Sequence, residues 1–272
     1  MSDRVVVRRL AGGVADVRLN RAEKMNALDI PMFEALVATG VELARDPSLR
    51  AVVLSGEGRA FSAGLDFSSF QAMSGDEGSG KRTPNLLSRG DASSPANFAQ
   101  RAAWVWTEVP VPVIAAIHGV AYGGGLQIAL GADLRFVAPD AKLSVMEIKW
   151  GLVPDMSGTQ TLRRLVRLDV AKELTFTGRV VSGTEAVELG LATRVAVDPR
   201  ATALEVAAEI AARSPDAIRA AKQLLDASGV VPVADGLRLE EKLQLGLIGR
   251  PNQIESVRAN LEKRAPRFQD PS

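Results

Sequence analysis

The sequence predicts a mixed α/β body up to about residue 200, followed by an all-helical C-terminal region. Three observations favour this class. Short apolar runs that end at glycine alternate with helical segments in the first two thirds of the chain. Beyond residue 200 the segments are alanine-rich and helical in pattern, and we find no internal repeat or long linker. We therefore divide the chain into a core of residues 1–200 and a helical region of residues 201–272.

The N-terminal elements follow from local signals. Residues 5–7 and 14–19 are β-type runs around Gly12 and Gly13, which predicts a hairpin. Asp29 can cap the helix that follows, which stops before Pro47 because the residue preceding a proline disfavours helix. The apolar run 51–55 predicts a buried strand.

The middle of the chain contains a long polar stretch, residues 68–97, which we interpret as a surface excursion. Its Gly/Lys spacing over residues 75–81 imitates a phosphate loop, but Arg82 replaces the required Ser or Thr. Further strands are predicted at 113–117, 134–138 and 143–145, and helices at 99–109, 125–130, 159–165, 201–212, 215–228, 237–247 and 254–261.

Composition limits the chemistry. The 272 residues include no cysteine and one histidine, so disulfides, thiolate catalysis and zinc–thiolate sites are excluded. His118, at the end of an apolar run, is better explained as a packed, hydrogen-bonded residue than as a general base. A net charge of +1 gives no sign of nucleic-acid or anionic-membrane binding. We expect a cytoplasmic protein with no membrane span and no bound metal, in which carboxylates carry proton transfer.

Two glycine-containing turns suggest an anion-stabilising site. Gly123, Gly124 and Gly125 open the predicted helix 125–130, where free N–H groups and the helix dipole favour negative charge. The small residues of segment 60–66 follow the strand 51–55 and also expose backbone N–H groups. Together they predict two converging amides, the arrangement of an oxyanion hole. Taken alone, the glycine run is equally explained by close packing, and the segment 60–66 is a weak signal because many turns resemble it.

Glu147 and Asp155 are the candidate acids. Gly151 and Pro154 prevent one continuous helix, so the two carboxyls lie on either side of a turn among apolar residues. Such surroundings raise the pKa of a carboxyl and let it exchange protons near neutral pH. The alternative for Glu147 is a structural ion pair, for example with Arg163 or Arg164.

Six short segments follow one another along nearly the whole chain. They are Leu-Asn-Arg-Ala-Glu-Lys-Met-Asn-Ala-Leu at 19–28, Ala-Phe-Ser-Ala-Gly-Leu-Asp at 60–66, 116–125 with Gly-Gly-Gly, 151–160 with Gly-Leu-Val-Pro, 177–191 with Thr-Gly-Arg, and 261–268 with Leu-Glu-Lys-Arg. In this order the segments resemble the crotonase superfamily, the enoyl-CoA hydratases and isomerases. The resemblance implies a spiral of ββα units with a C-terminal helical trimerisation region, assembled as homotrimers or dimers of trimers.

The same resemblance implies an acyl-CoA thioester substrate and no further cofactor. Its thioester oxygen would be held by the N–H groups of Ala63 and Gly124. Other substrate contacts would come from Lys24, Ala27, Gly64, Asp66, Gly123 and Pro154, and from Lys263 of a neighbouring subunit. The family motifs say nothing about the acyl pocket, which we expect to be shaped by the excursion 68–97 with Trp104, Trp106 and Trp150.

The departures from the family pattern decide the predicted reaction. Hydratases of this family carry two glutamates; Glu147 matches the second, but Gln127 stands at the first and cannot act as a base. Asp155 stands where hydratases usually have glycine. An acid at this position resembles the dienoyl-CoA isomerases. Ser157 replaces a further glycine. We therefore predict an isomerase in which Glu147 and Asp155 move a proton. The alternatives are a hydratase that uses Glu147 alone and a non-catalytic acyl-CoA-binding protein.

Overall fold

The computed structural model describes residues 4–66, 86–89 and 94–271. Most of the excursion 68–97 and all of the phosphate-loop-like stretch 75–81 therefore lie outside the described residues. Nine strands occur in the described part of the chain: β1 Val5–Leu10, β2 Val14–Leu19, β3 Ala51–Gly56, β4 Val113–Ile117, β5 Val120–Tyr122, β6 Leu134–Val137, β7 Lys142–Ser144, β8 Val181–Ser182 and β9 Arg194–Val195.

Ten α-helices accompany these strands in the described ranges. They are α1 Ile30–Ala44, α2 Phe98–Glu108, α3 Gly124–Leu130, α4 Gly158–Leu165, α5 Leu168–Thr177, α6 Gly183–Glu188, α7 Pro199–Ala211, α8 Pro215–Ala227, α9 Val233–Leu247 and α10 Pro251–Leu261. None of the described helices is both long and apolar enough to cross a membrane.

The strands form two sheets. The larger sheet has the order β1-β2-β3-β4-β6-β9, in which β1 and β2 pair antiparallel and the other neighbours pair parallel. The smaller sheet has the order β5-β7-β8. Only two residues separate the end of β4 from the start of β5, so the chain passes from one sheet to the other at Gly119, whose φ is +62°. This transition places the glycine run at the junction of the sheets.

Strand β2 shows how the larger sheet is covered on both faces. Ala15, Val17 and Leu19 belong to the main apolar core with α1 and α2. Val14 lies on the opposite face, in a second cluster that includes Ala203 of α7. Helix α7 starts at the predicted boundary near residue 200, yet it packs directly against the sheet of the core.

Helix α8 is tied to the core by a buried amine. Lys222 Nζ donates to Asp133 Oδ2 at 2.6 Å and to the carbonyl of Val111 at 3.1 Å. The predicted N-terminus at Ser214 and Pro215 is confirmed, although the Ser214 side chain makes no capping hydrogen bond. Helices α9 and α10 complete the C-terminal region.

The predicted elements are largely confirmed. The hairpin, the helix capped by Asp29 and the strand at 51 are all present, and the Asp29 carboxylate accepts the N–H of Met32 at 3.0 Å. The predictions missed β5, β8, β9, α5 and α6, as well as a 3-10 helix over Glu147–Trp150. Most of these elements are too short to give a periodic pattern.

Candidate active site

Two turns meet at the junction of the sheets. The turn after β3 pairs with β5, since the N–H of Ser62 donates to Val120 O at 3.0 Å and the N–H of Tyr122 donates to Ser62 O at 3.1 Å. A Cβ on Gly125 would lie 2.7 Å from Ser62 Cβ, and a Cβ on Gly64 would lie 2.6 Å from Tyr122 O. Glycine at both positions therefore permits the close approach of the turn to the start of α3.

Backbone N–H groups in these turns differ in whether they are available to a ligand. The N–H of Gly124, at the first residue of α3, has no hydrogen-bond partner among the described residues. In contrast, the N–H of Ala63 donates to the carbonyl of Met25 at 2.8 Å. The prediction that Ala63 supplies a free donor is therefore wrong for this structure, because its N–H already joins the turn to the segment before α1.

The turn nevertheless offers a free donor two residues further on. The N–H of Leu65 has no partner in the described part of the chain, since the bridge to Leu28 uses the carbonyl of Gly64 and the N–H of Asp66. The Cβ position of Gly64 lies 3.7 Å from the nitrogen of Gly124, which places the next residue close to α3. Leu65 and Gly124 are thus the two amides of this region whose N–H groups have no partner in the described part of the chain.

Glu147 lies against this glycine run. It begins the 3-10 helix and is only 9% exposed, and a Cβ on Gly123 would be 3.3 Å from its Oε1. Burial raises the pKa of Glu147; the charge of Asp155 raises it further, while a hydrogen bond from Gln127 opposes the rise. In the described structure it forms no ion pair with Arg163 or Arg164.

Gln127 contacts Glu147 from α3. Its Nε2 donates to Glu147 Oε1 at 2.5 Å, and its Oε1 accepts the N–H groups of Met156 and Gly158 at 2.8 and 2.9 Å. The second carboxylate oxygen, Glu147 Oε2, is buried and has no partner among the described residues. One oxygen of the acid is therefore held and the other is free.

Asp155 follows the buried Pro154 and is itself exposed. Desolvation by the surrounding chain is the main cause of the raised pKa of its carboxyl, although much of the side chain still faces solvent. Since its charge influences Glu147, the two acids lie within electrostatic reach of each other on either side of the turn, as the spacing predicts.

The predicted substrate-binding residues occupy the turns before α1 and after β3. Lys24 is exposed, whereas Asp66 pairs with Arg21 Nη1 at 2.5 Å. The same nitrogen of Arg21 donates to the carbonyl of Ala27 at 3.0 Å. Sequence reasoning missed this role of Arg21, although it belongs to the segment 19–28 that carries the family resemblance. Lys263 is exposed immediately beyond α10, with φ of 54°.

His118 and Trp106 both occupy structural positions outside the turns that form the site. His118 Nε2 lies 2.9 Å from the carbonyl of Gly58, which agrees with a structural role at the end of β4. Trp106 is fully buried in the main core with its indole N–H on Ala102 O, so its proposed place in an acyl pocket is wrong. Trp104 is partly buried and Trp150 is exposed.

Comparison with known proteins shows the family of this chain. The family model described as "Enoyl-CoA hydratase/isomerase" matches residues 9–271. The chain belongs to the enoyl-CoA hydratase/isomerase family. A Bacillus subtilis protein named "Probable enoyl-CoA hydratase" is 35% identical over 89% of this chain and 90% of its own length. The human "Enoyl-CoA hydratase domain-containing protein 2, mitochondrial" is 34% identical over 97% of this chain and 89% of its own.

Solved structures of the family superpose over the full length. The crystal structure of an enoyl-CoA hydratase from Bacillus anthracis has a TM-score of 0.85 at 30% identity, and covers 99% of this chain and 100% of its own. An enoyl-CoA hydratase structure from Mycobacterium tuberculosis also reaches 0.85, at 27% identity over 99% of this chain and 100% of its own. The spiral architecture and the C-terminal helices are therefore those of the family.

Proposed function

We propose that this protein is an acyl-CoA-processing enzyme that isomerises enoyl- or dienoyl-CoA thioesters by proton transfer. The observation that carries the proposal is Glu147, a buried carboxyl beside the glycine run that has a raised pKa and an Oε2 without a partner among the described residues. A group of this kind can accept and return a proton near neutral pH, the requirement for a general acid–base.

The thioester oxygen would lie between the N–H groups of Leu65 and Gly124. One acid removes a proton from the acyl chain, and the electrons of the broken C–H bond delocalise onto the thioester oxygen as an enolate. The second acid then delivers a proton to a more distant carbon, so the double bond moves and no atom is gained. A single oxyanion donor of this type typically lowers the barrier by about 3–4 kcal/mol.

Asp155 is the proposed second acid because it faces the same turn as Glu147 and shares its electrostatic environment. In the proposal, Glu147 works beside the glycine run and Asp155 acts on the part of the acyl chain that lies toward the exposed rim.

Binding of the CoA portion is proposed for the outer turns. The exposed Lys24 supplies a cation for the phosphates, Ala27 and Asp66 line the entrance, and Gly64, Gly123 and Pro154 bound the thioester. The assembly proposed for the chain is a homotrimer or a pair of trimers, in which Lys263 of a neighbouring subunit reaches the CoA phosphates.

Hydration is the second candidate, favoured by the names of the relatives. In this reaction Glu147 would activate water without a carboxylate partner, because Gln127 is neutral and all three of its described contacts are to protein groups. Water addition increases the mass of the acyl-CoA by one water, whereas isomerisation leaves the mass unchanged.

The deciding experiment is mass spectrometry of reactions with a panel of enoyl- and dienoyl-CoA thioesters in deuterated water. We expect deuterium exchange at two carbons and a shifted double bond without water addition. A product heavier by one water would establish hydration instead. If every thioester of the panel remains unreacted and Glu147→Gln leaves tight binding of CoA esters unchanged, the protein is a non-catalytic binder.

Two variants assign the acids. Glu147→Gln is expected to reduce turnover by about 10²–10⁴-fold, the usual contribution of general acid–base catalysis. Asp155→Asn should permit exchange at one carbon but block transfer to the second. Asp140→Asn, which removes an exposed carboxylate outside the site, is the matched control. Unchanged turnover in Asp155→Asn would contradict the two-acid scheme.

A further inference from the structure

Gln127 joins the parts of the site that carry the two acids. It lies on α3, is only 2% exposed, and makes three hydrogen bonds through its amide. One bond reaches Glu147 and two reach the backbone of the turn that follows Asp155. The side chain therefore connects the buried acid to the turn of the exposed one.

The orientation of this amide is fixed by its partners. Two backbone N–H groups, from Met156 and Gly158, must face an acceptor, so they select the carbonyl oxygen of Gln127. The NH₂ group is consequently directed at Glu147 Oε1. A Cβ on Gly158 would lie 2.6 Å from Gln127 Oε1, so the glycine there gives the amide its room.

We propose that Gln127 is a positioning residue that holds Glu147 Oε1 as a hydrogen-bond acceptor and leaves Oε2 as the oxygen that exchanges protons with the substrate. This inference rests on the proposed isomerase function. It assigns the two oxygens of one carboxylate to different tasks, since Oε1 is bound by the amide and Oε2 has no partner among the described residues.

Neutrality at position 127 follows from the same geometry. A glutamate there could still accept the N–H groups of Met156 and Gly158, but its other oxygen would face Glu147 Oε1 across the 2.5 Å now spanned by a hydrogen bond. Two carboxylates at that separation cannot both ionise and would share one proton. Glutamine keeps the contact attractive and avoids the sharing of a proton between positions 127 and 147.

The test measures Glu147 directly, without substrate. Protein labelled with ¹³C at the glutamate carboxyls is titrated by NMR, and the Glu147 signal is assigned by its absence in Glu147→Gln. In Gln127→Met the donor to the ionised carboxylate is lost, so we expect the midpoint to rise by about 0.4–1 pH unit. Asp155 is the charged group that acts on this carboxyl in the described structure, and Asp155→Asn is titrated alongside.

Gln127→Glu and a matched control complete the design. With two adjacent carboxyls, the Glu147 signal should titrate in two coupled steps rather than one. Gln160→Met replaces an exposed glutamine of α4 and should leave the midpoint unchanged. Circular dichroism and thermal unfolding identify any variant that fails to fold. In that case Gln127→Asn serves as a smaller change. It is expected to raise the Glu147 midpoint because the shorter side chain cannot reach both Glu147 and the backbone N–H groups.

The pH dependence of turnover provides the second readout. If Glu147 acts as a base, the acid limb of the pH–rate profile should move to higher pH in Gln127→Met, together with the NMR midpoint of Glu147. KM should change little. A folded Gln127→Met protein whose Glu147 midpoint equals that of the wild type would overturn the inference. Absence of isomerisation by the wild type would instead defeat the proposed function, while the NMR result stands on its own.

Discussion

Ser157 is the residue at which the site departs most clearly from backbone preference. It has φ of 68° at the start of α4, its Oγ is buried without a partner among the described residues, and it makes no capping hydrogen bond. A side chain in this left-handed region costs about 1–2 kcal/mol, which glycine avoids. The strain lies between Met156 and Gly158, the residues that hold Gln127.

Replacement of Ser157 by glycine should therefore stabilise the protein. We expect the free energy of unfolding to rise by about 0.5–1 kcal/mol, because relief of strain exceeds the added entropy of the unfolded glycine chain. Urea denaturation measures the change. Ser157→Ala removes the hydroxyl and keeps the strained Cβ. Equal gains in the free energy of unfolding in both variants would show that the strained φ is not the source of the gain.

Glu147 should limit stability at alkaline pH. Its folded pKa is raised by burial, so its stabilising contribution is present below the unfolded value and is lost as the pH rises through the folded pKa. Glu147→Gln should consequently be more stable than the wild type near pH 8, with the difference shrinking toward about pH 4. Each kcal/mol corresponds to about 2–4 °C in the melting temperature of a domain of this size. A gain that is equal at both pH values would contradict a titration effect.

At the scale of elements, α1 and α2 approach closely through a glycine. A Cβ on Gly40 of α1 would lie 2.5 and 2.7 Å from the two γ-carbons of Val105 on α2, and Val105 is fully packed in the core. Gly40→Ala should therefore destabilise the protein by about 1–3 kcal/mol through overpacking. Differential scanning calorimetry can measure the loss.

Two further variants isolate the contact between these helices. Combining Gly40→Ala with Val105→Ala makes room for the new methyl group, so the double variant should lose less stability than the sum of the single changes. Gly236→Ala in α9, where the nearest atom to the new Cβ is 3.9 Å away, is the control and should gain up to about 1 kcal/mol. Strict additivity of the pair would contradict the close approach.

The elements also show what a sequence can reveal. Asp29, Pro31 and the apolar period behind them predicted α1 because caps and periodicity are local signals. Residue type and spacing predict the two acids and the glycine run as candidate site residues. The choice of Leu65 over Ala63 depends on the carbonyl of Met25, and the role of Gln127 depends on partners beyond α3, so neither is encoded in local pattern.

On the scale of the whole molecule, the C-terminal helices leave an apolar face uncovered. In the single chain, large aliphatic side chains of α9 and α10 remain exposed: Leu237, Leu245, Ile254, Val257 and Leu261. The last three recur at helical spacing along α10. Apolar surface clustered on neighbouring helices is characteristic of interaction sites, so this face fits the proposed self-assembly.

Substitutions on this face test the assembly and its link to the site. We expect light scattering of the eluted protein to give three or six times the 28.8 kDa of one chain, and Ile254→Glu with Leu261→Glu to reduce that mass. Val197→Glu, at a residue 94% exposed before α7, should leave it unchanged. Because Lys263 follows α10 by two residues, dissociation of the assembly should also weaken CoA binding. The single change Lys263→Ala should weaken CoA binding without changing the mass of the assembly. A wild-type protein that elutes as a single chain would remove Lys263 from the proposed site, since its contribution there depends on a neighbouring copy.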